Sequence, residues 1–245
     1  MRQLFLLSLC FGILLASEPQ QWGENVTGVT TRFASDKKEI ALTLDACGGS
    51  AKSSQYDAEL IDYLIAHKIL VTLFINARWI DTNPEIFKRL AANPLFEIGN
   101  HGTAHRPLSV NGKSVYNIPG TASPEEVERE IEGNGRKIEK LTGKRPLFFR
   151  SGTAYYDDEA VRIARANGVE IAGFEVIADA GATLSAEEVA RRIKNARSGD
   201  IVIAHMNHPE SGTRQGIIEA ITALRAAGFE FVRLSDVKNR IRRLP

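Results

Sequence analysis

Hydrophobic and polar positions along the chain alternate between two periods. Short apolar runs rich in β-branched residues at positions 39–45, 69–75, 95–99, 147–149, 169–174, 200–204 and 230–234 predict strands. Between them lie stretches with helical spacing. Residues 56–67 repeat through Leu60, Ile61, Leu64 and Ile65, and residues 84–92 begin with Pro84 behind an Asn83 N-cap. Residues 124–141 follow Ser123, with Glu126 completing a capping box, and residues 185–196 repeat that device through Glu188. Helices are also predicted over 157–166, ending at Gly168, and over 213–227, ending at Gly228, with a short basic helix closing the chain. Residues 18–35 show no clear period and are expected to form an exposed lead-in.

Strand and helix alternate without a Pro-, Gly- or Ser-rich linker, which predicts a single α/β domain built on a parallel sheet, either open or closed as a barrel. Residues 1–17 fall outside this pattern. Arg2 precedes an apolar run from Leu4 to Leu15, and Ala16 and Ser17 are small, as in a secretory signal. The run is short for a membrane span, so no stable membrane insertion is expected after cleavage, and the mature chain is expected to be secreted or periplasmic. Leu9 is too large for the residue before a lipid-modified cysteine, which removes Cys10 from that role. Domain boundaries then fall at 1–17 for the signal, 18–36 for the lead-in and 37–245 for the folded domain.

Composition narrows the picture further. In 245 residues, 31 Lys and Arg balance 30 Asp and Glu, so no basic excess points to nucleic acid. Two cysteines, Cys10 and Cys47, exclude a disulfide scaffold, and cleavage would leave Cys47 alone.

The chemistry-bearing residues gather at the predicted strand ends. Asp45 ends the first strand, His101 follows the third, Arg150 follows the fourth, Asp179 lies past the fifth and His205 ends the sixth. Such a distribution favours a TIM-like (β/α) barrel, whose active site occupies one end, over an open sheet with one switch point. His101 and His105 are four apart, and on a helical turn both rings would share one face and one metal. Gly102 stands where a zincin protease needs its glutamate base. Strand period two places Thr43, Asp45 and Cys47 opposite Leu42 and Leu44. Asp45 is a candidate general base with Arg150 as its charge partner. His205 is a candidate general acid that Asp179 could orient. His208 and His67 are expected at the rim and at a helix end.

Together these residues resemble the polysaccharide deacetylases, the NodB-homology group of carbohydrate esterases. Thr43-Leu44-Asp45-Ala46 resembles the family's Thr-Phe-Asp-Asp, and His101 to His105 its His-Ser/Thr-x-x-His. Arg150-Ser151-Gly152-Thr153 resembles Arg-x-Pro-Tyr, Asp179 the acidic fourth motif, and Ile203-Ala204-His205 the closing Leu-x-His. The resemblance implies a distorted (β/α) barrel that removes acetyl groups from an N-acetylated polysaccharide such as peptidoglycan or a chitin-like chain. It implies Asp45 as base, His205 as acid, and His101 and His105 as ligands of a divalent metal, zinc being expected. Arg150, Gly152, Thr153, Asp179 and Ile203 would support the site or contact substrate, with backbone N–H groups near Gly152 and Thr153 facing an oxyanion.

The sequence departs from the family at Ala46, where a second aspartate would ligate the metal. Asp45 or Cys47 could supply the missing ligand; Asp45 is the expected one, with Cys47 as a small buried hydrophobe. Two other readings stay open: a carbohydrate-binding relative that has lost its metal, and an amidase for small amides.

Overall fold

The computed structural model describes residues 18–245, so the signal-like segment and Cys10 lie outside the described residues. An all-parallel sheet forms the centre. Its strands run in the order Glu170–Ile171, Phe148–Phe149, Phe96–Asn100, Val71–Ile75, Glu39–Ala46, Ile201–His205 and Val176–Ile177, with Glu230–Phe231 pairing the start of Glu39–Ala46. The two strands at the ends of this order are successive in the chain. Residues 172–175 join them, and four residues of extended chain reach only about 14 Å. That short tether forces the sheet to curl until its edges face each other, giving an α/β barrel with an unpaired seam.

Helices Ala58–Ala66, Pro84–Ala92, Pro124–Thr142, Asp158–Ala166, Ala186–Lys194 and Thr213–Ala226 pack outside. The Glu39–Ala46 strand is buried along its whole length. Its Leu42, Leu44 and Ala46 face the helical layer with Leu60, Leu64, Val202 and Ile217. Thr43 and Asp45 face the barrel interior, as the period of two requires. Register places Asp45 opposite both His205 and Phe74, and Asn100 opposite Phe149, so the strand ends that carry chemistry sit at one level.

Several local expectations are corrected. Residues 18–35 are integrated into the fold: Trp22–Gly23 pairs with Tyr156–Asp157, Thr30–Phe33 pairs with the C-terminal Ile241–Arg243, and Val26, Val29 and Phe33 are buried. Their role is to cover the ends and seam of the barrel, a long-range task that leaves no local period. The basic C-terminus is a 3-10 turn, Leu234–Arg240, followed by that edge strand. An additional helix, Ala77–Thr82, is capped by the Asn76 side chain. Asn83 spends its side-chain amide on the carbonyls of Ser54 and Trp79 instead of capping the next helix. Glu126 bonds the N–H of Ala122, so only the Ser123 half of that capping box forms.

Candidate active site

Asp45 and Arg150 meet across the barrel interior. The guanidinium Nη1 lies 2.7 Å from Asp45 Oδ1 and 2.9 Å from Thr43 Oγ1. Its Nε and Nη2 donate to the carbonyls of Ala172 and Gly173, each at 3.0 Å, and its Cζ lies over the Phe74 ring, 4.3 Å from the ring centre. Arg150 thus ties the first strand to the seam while pinning one carboxylate oxygen of Asp45. Asp45 Oδ2 remains available, 3.7 Å from His101 Nε2.

His101 and His105 do come together, by a different route from the one their spacing suggests. Residues 101–105 form a loop, and His105 has φ +62°, so no helical face is involved. The rings meet edge to face with centres 4.9 Å apart. The Nδ1–H of His101 donates to the Arg150 carbonyl at 3.0 Å, which leaves Nε2 with its lone pair toward the site. His105 Nε2 is buried with no hydrogen-bond partner among the described residues.

Cys47 is the third member of this group. Its Sγ lies 3.8 Å from His101 Nε2, and the ligand atoms of Cys47, His101 and His105 all lie within 4.8 Å of one another. The expectation of Cys47 as a small buried hydrophobe is therefore corrected: its half-buried thiol faces two imidazoles. Burial alone would raise that thiol's pKa, but the charge of His105 and hydrogen bonds with His101, His105 and His205 pull it well below the ordinary thiol range. An orphaned imidazole nitrogen, a second imidazole with a fixed tautomer and a thiol favouring its anion make a donor set suited to a divalent metal. His101 is held above its ordinary pKa: burial opposes the charge, and Asp45 and Cys47 outweigh it.

His205 and Asp179 form the opposite wall. Asp179 Oδ1 lies 2.9 Å from His205 Nδ1, while Oδ2 accepts from the His205 backbone N–H at 2.8 Å and from Thr213 Oγ1 at 2.9 Å. The ring is oriented through Nδ1, which turns its other edge toward Cys47 and the site. Burial disfavours the imidazolium, yet the Asp179 carboxylate holds His205 well above its usual pKa; reciprocally, Asp179 sits below the usual carboxylate range despite its burial. Ile203, 8% exposed, lies on the same strand face as His205.

Two glycines explain departures from the resemblance. A Cβ on Gly152 would collide with the backbone and ring of His105, so the loop after Arg150 can close over that histidine only with glycine there. Gly102, at φ +78°, would drive a Cβ into the Glu130 carboxylate. Thr153 Oγ1 accepts weakly from Tyr155 N–H, and the Tyr155 ring packs against Trp22 and Tyr116, forming an aromatic surface beside this loop. His208 lies at the rim beside Glu210, and His67 stacks on Tyr63 at a helix end.

Sequence reasoning missed the polar layer beneath the histidine loop. Asn76 Nδ2 donates to the carbonyls of His101 and Gly102; Asn134 Nδ2 bridges Ile75 and Asn100; Asn100 Nδ2 bonds Ile131. Glu130 accepts the N–H groups of Ala104 and Arg106, and burial raises its pKa. The available signal was a pair of polar residues, Glu130 and Asn134, on the buried helix stripe of Val127, Ile131 and Ile138.

Residues 33–172 match the polysaccharide deacetylase family model. The chain belongs to that family. Among curated proteins it is similar to a peptidoglycan-N-acetylglucosamine deacetylase of Bacillus cereus, at 27% identity over 213 residues, spanning 85% of this chain and 92% of the relative. Among solved structures, the family 4 carbohydrate esterase PdaA of Bacillus subtilis superposes with a TM-score of 0.71 at 19% identity, covering 86% of this chain and 85% of PdaA. A family 4 pseudoenzyme of Bacillus anthracis superposes with a TM-score of 0.70 at 22% identity, covering 84% of this chain and 67% of that one. Such structural likenesses support the barrel fold itself.

Proposed function

We infer that this chain is an exported, metal-dependent N-deacetylase that hydrolyses acetamido groups on a polysaccharide, with peptidoglycan the first candidate because the Bacillus cereus relative is named a peptidoglycan-N-acetylglucosamine deacetylase. The observation that carries the reading is the meeting, at one barrel end, of an arginine-pinned carboxylate, a cluster of metal-type donors and an aspartate-held histidine. Amide hydrolysis needs a base for water, charge stabilisation at the carbonyl and a proton for the leaving amine.

Asp45 Oδ2, free of Arg150, accepts the proton of the attacking water. His205, kept protonated by Asp179, delivers a proton from Nε2 to the departing amine. Backbone N–H groups of Gly152 and Thr153 face the oxyanion, and Arg150 and Ile203 fix the strand ends around the substrate. A divalent metal, with zinc the expected ion, supplies Lewis acidity toward the carbonyl and the water when bound. His101 and His105 would hold it. The aromatic surface of Trp22, Tyr116 and Tyr155 suits the apolar faces of sugar rings.

Export follows from the signal-like residues 1–17; among the described residues no helix is long and apolar enough to cross a membrane. N-terminal sequencing of the secreted product is expected to begin near Glu18, and an intact Met1 would refute the signal. Acetate release from N-acetylated glycans, measured with zinc and after chelation, tests the activity. Ala46 favours one second reading, a carbohydrate-binding relative without turnover. Glycan binding with no acetate release under any metal would establish it.

A further inference from the structure

We propose that Cys47 is the third protein ligand of the metal, so that this chain holds its ion with one thiolate and two imidazoles. The inference rests on the deacetylase reading for the use of that metal; the ligand set itself rests on geometry.

Position 46 cannot serve. The Ala46 side chain is fully buried in the apolar layer with Leu42 and Leu44, on the strand face turned away from the histidines. Cys47 continues the period of Thr43 and Asp45 and emerges on the site face. A tetrahedral zinc bound at about 2.3 Å to sulfur and about 2.0–2.1 Å to nitrogen separates those two atoms by about 3.6 Å. The Cys47 Sγ to His101 Nε2 distance is 3.8 Å. His105 completes the group, one donor atom from each of the three side chains lying within 4.8 Å of the others.

Asp45 is the competing donor. Its Oδ2 approaches His101, but its Oδ1 is committed to a buried guanidinium, and it is absent from the three-way convergence. Assigning the ligand role to Cys47 leaves Asp45 free to accept a proton. A thiolate also carries the same single negative charge as a carboxylate, so a site of one anion and two neutral imidazoles keeps the ion's net charge. Three protein ligands leave a position open, as catalytic sites require. The softer donor favours zinc or cobalt over magnesium or manganese.

The test is metal binding by the purified chain, read without turnover. Zinc affinity is measured by chelator competition for wild type, Cys47→Ser, Cys47→Asp and Asp45→Asn, with thermal melts of the metal-free proteins to establish that each is folded. Cobalt is used as the spectroscopic probe. We expect a sulfur-to-cobalt charge-transfer band in wild type and Asp45→Asn, and its loss in both Cys47 variants. Loss of an outer-shell partner alone weakens metal binding about 10–100-fold, so Cys47→Ser is expected to lose at least about 100-fold in zinc affinity. Cys47→Asp is expected to recover part of it. Zinc affinity within about threefold of wild type in a folded Cys47→Ser protein, or a wild-type cobalt complex without the sulfur band, overturns the proposal. If either occurs while acetate is still released, the ligand assignment falls and the deacetylase reading stands. A sulfur band with no acetate release from any glycan supports the ligand assignment and overturns the deacetylase reading.

Discussion

Replacing Arg150 with Met should destabilise the fold more than any single change on the protein surface. The side chain is fully buried, as is its Asp45 partner, and Met fills much of the same volume without charge or donors. Removing one member of a buried ion pair costs about 3–5 kcal/mol, because the remaining charge is left uncompensated. The Ala172 and Gly173 carbonyls also lose their guanidinium donors, at about 1 kcal/mol each or somewhat more. The lower end of this range, about 3 kcal/mol, corresponds to a fall in Tm of roughly 6–12 °C for a domain of this size. Thermal and urea unfolding of wild type, Arg150→Met, Asp45→Asn and the double variant measure the effect as a cycle. If the cost comes from the stranded carboxylate, Asp45→Asn in the Arg150→Met background recovers stability, and the coupling exceeds about 2 kcal/mol. A Tm drop under about 3 °C in the single variant, or additive effects in the double, would refute the reasoning.

Asp179→Asn should move the alkaline limb of the activity profile toward acid. The carboxylate raises the His205 pKa, and His205 works as an acid only below that value, so losing the carboxylate withdraws the proton at lower pH. An unchanged alkaline limb in kcat/KM would remove His205 from the acid role. Gly102→Ser, which restores the family's more usual residue, should reduce stability by about 2–4 kcal/mol. The left-handed backbone and the clash with Glu130 both oppose a side chain there. A urea midpoint equal to wild type would show that the loop relaxes without cost.

Much of the architecture was legible because barrel strands and outer helices have strong, distinct periods. The placement of Asp45, Arg150, Asp179 and His101 at or just past strand ends followed from setting polar residues against those periods; their burial did not. Other parts depend on contacts with no local signature. Residues 18–35 acquire their strands only by pairing with residues 156–157 and 241–243, over a hundred positions away. The His101–His105 spacing suggested a helix, yet the loop is shaped by Asn76, Asn134 and Glu130, which arrive from other elements. Spacing told which residues would meet, while the backbone that brings them together was set by distant side chains.

The departures from the family pattern are best understood as sets of neighbours rather than as isolated losses. Gly152 has no side chain because His105 occupies the space a Cβ would need, and His105 can sit there because its backbone adopts φ +62°. Gly102 is held against Glu130, whose carboxylate receives the N–H groups on either side of His105. Each substitution taken alone resembles decay of a motif. Taken together, 102 and 152 form the close-packed seat of one imidazole. Ala46 and Cys47 stand in the same relation at the end of the first strand, one side chain completing the apolar layer and the next presenting sulfur to that imidazole's partner. A chain that had merely lost its metal would have no reason to keep a thiol and two imidazoles converging within 4.8 Å at one barrel end. That convergence weighs against the purely carbohydrate-binding reading.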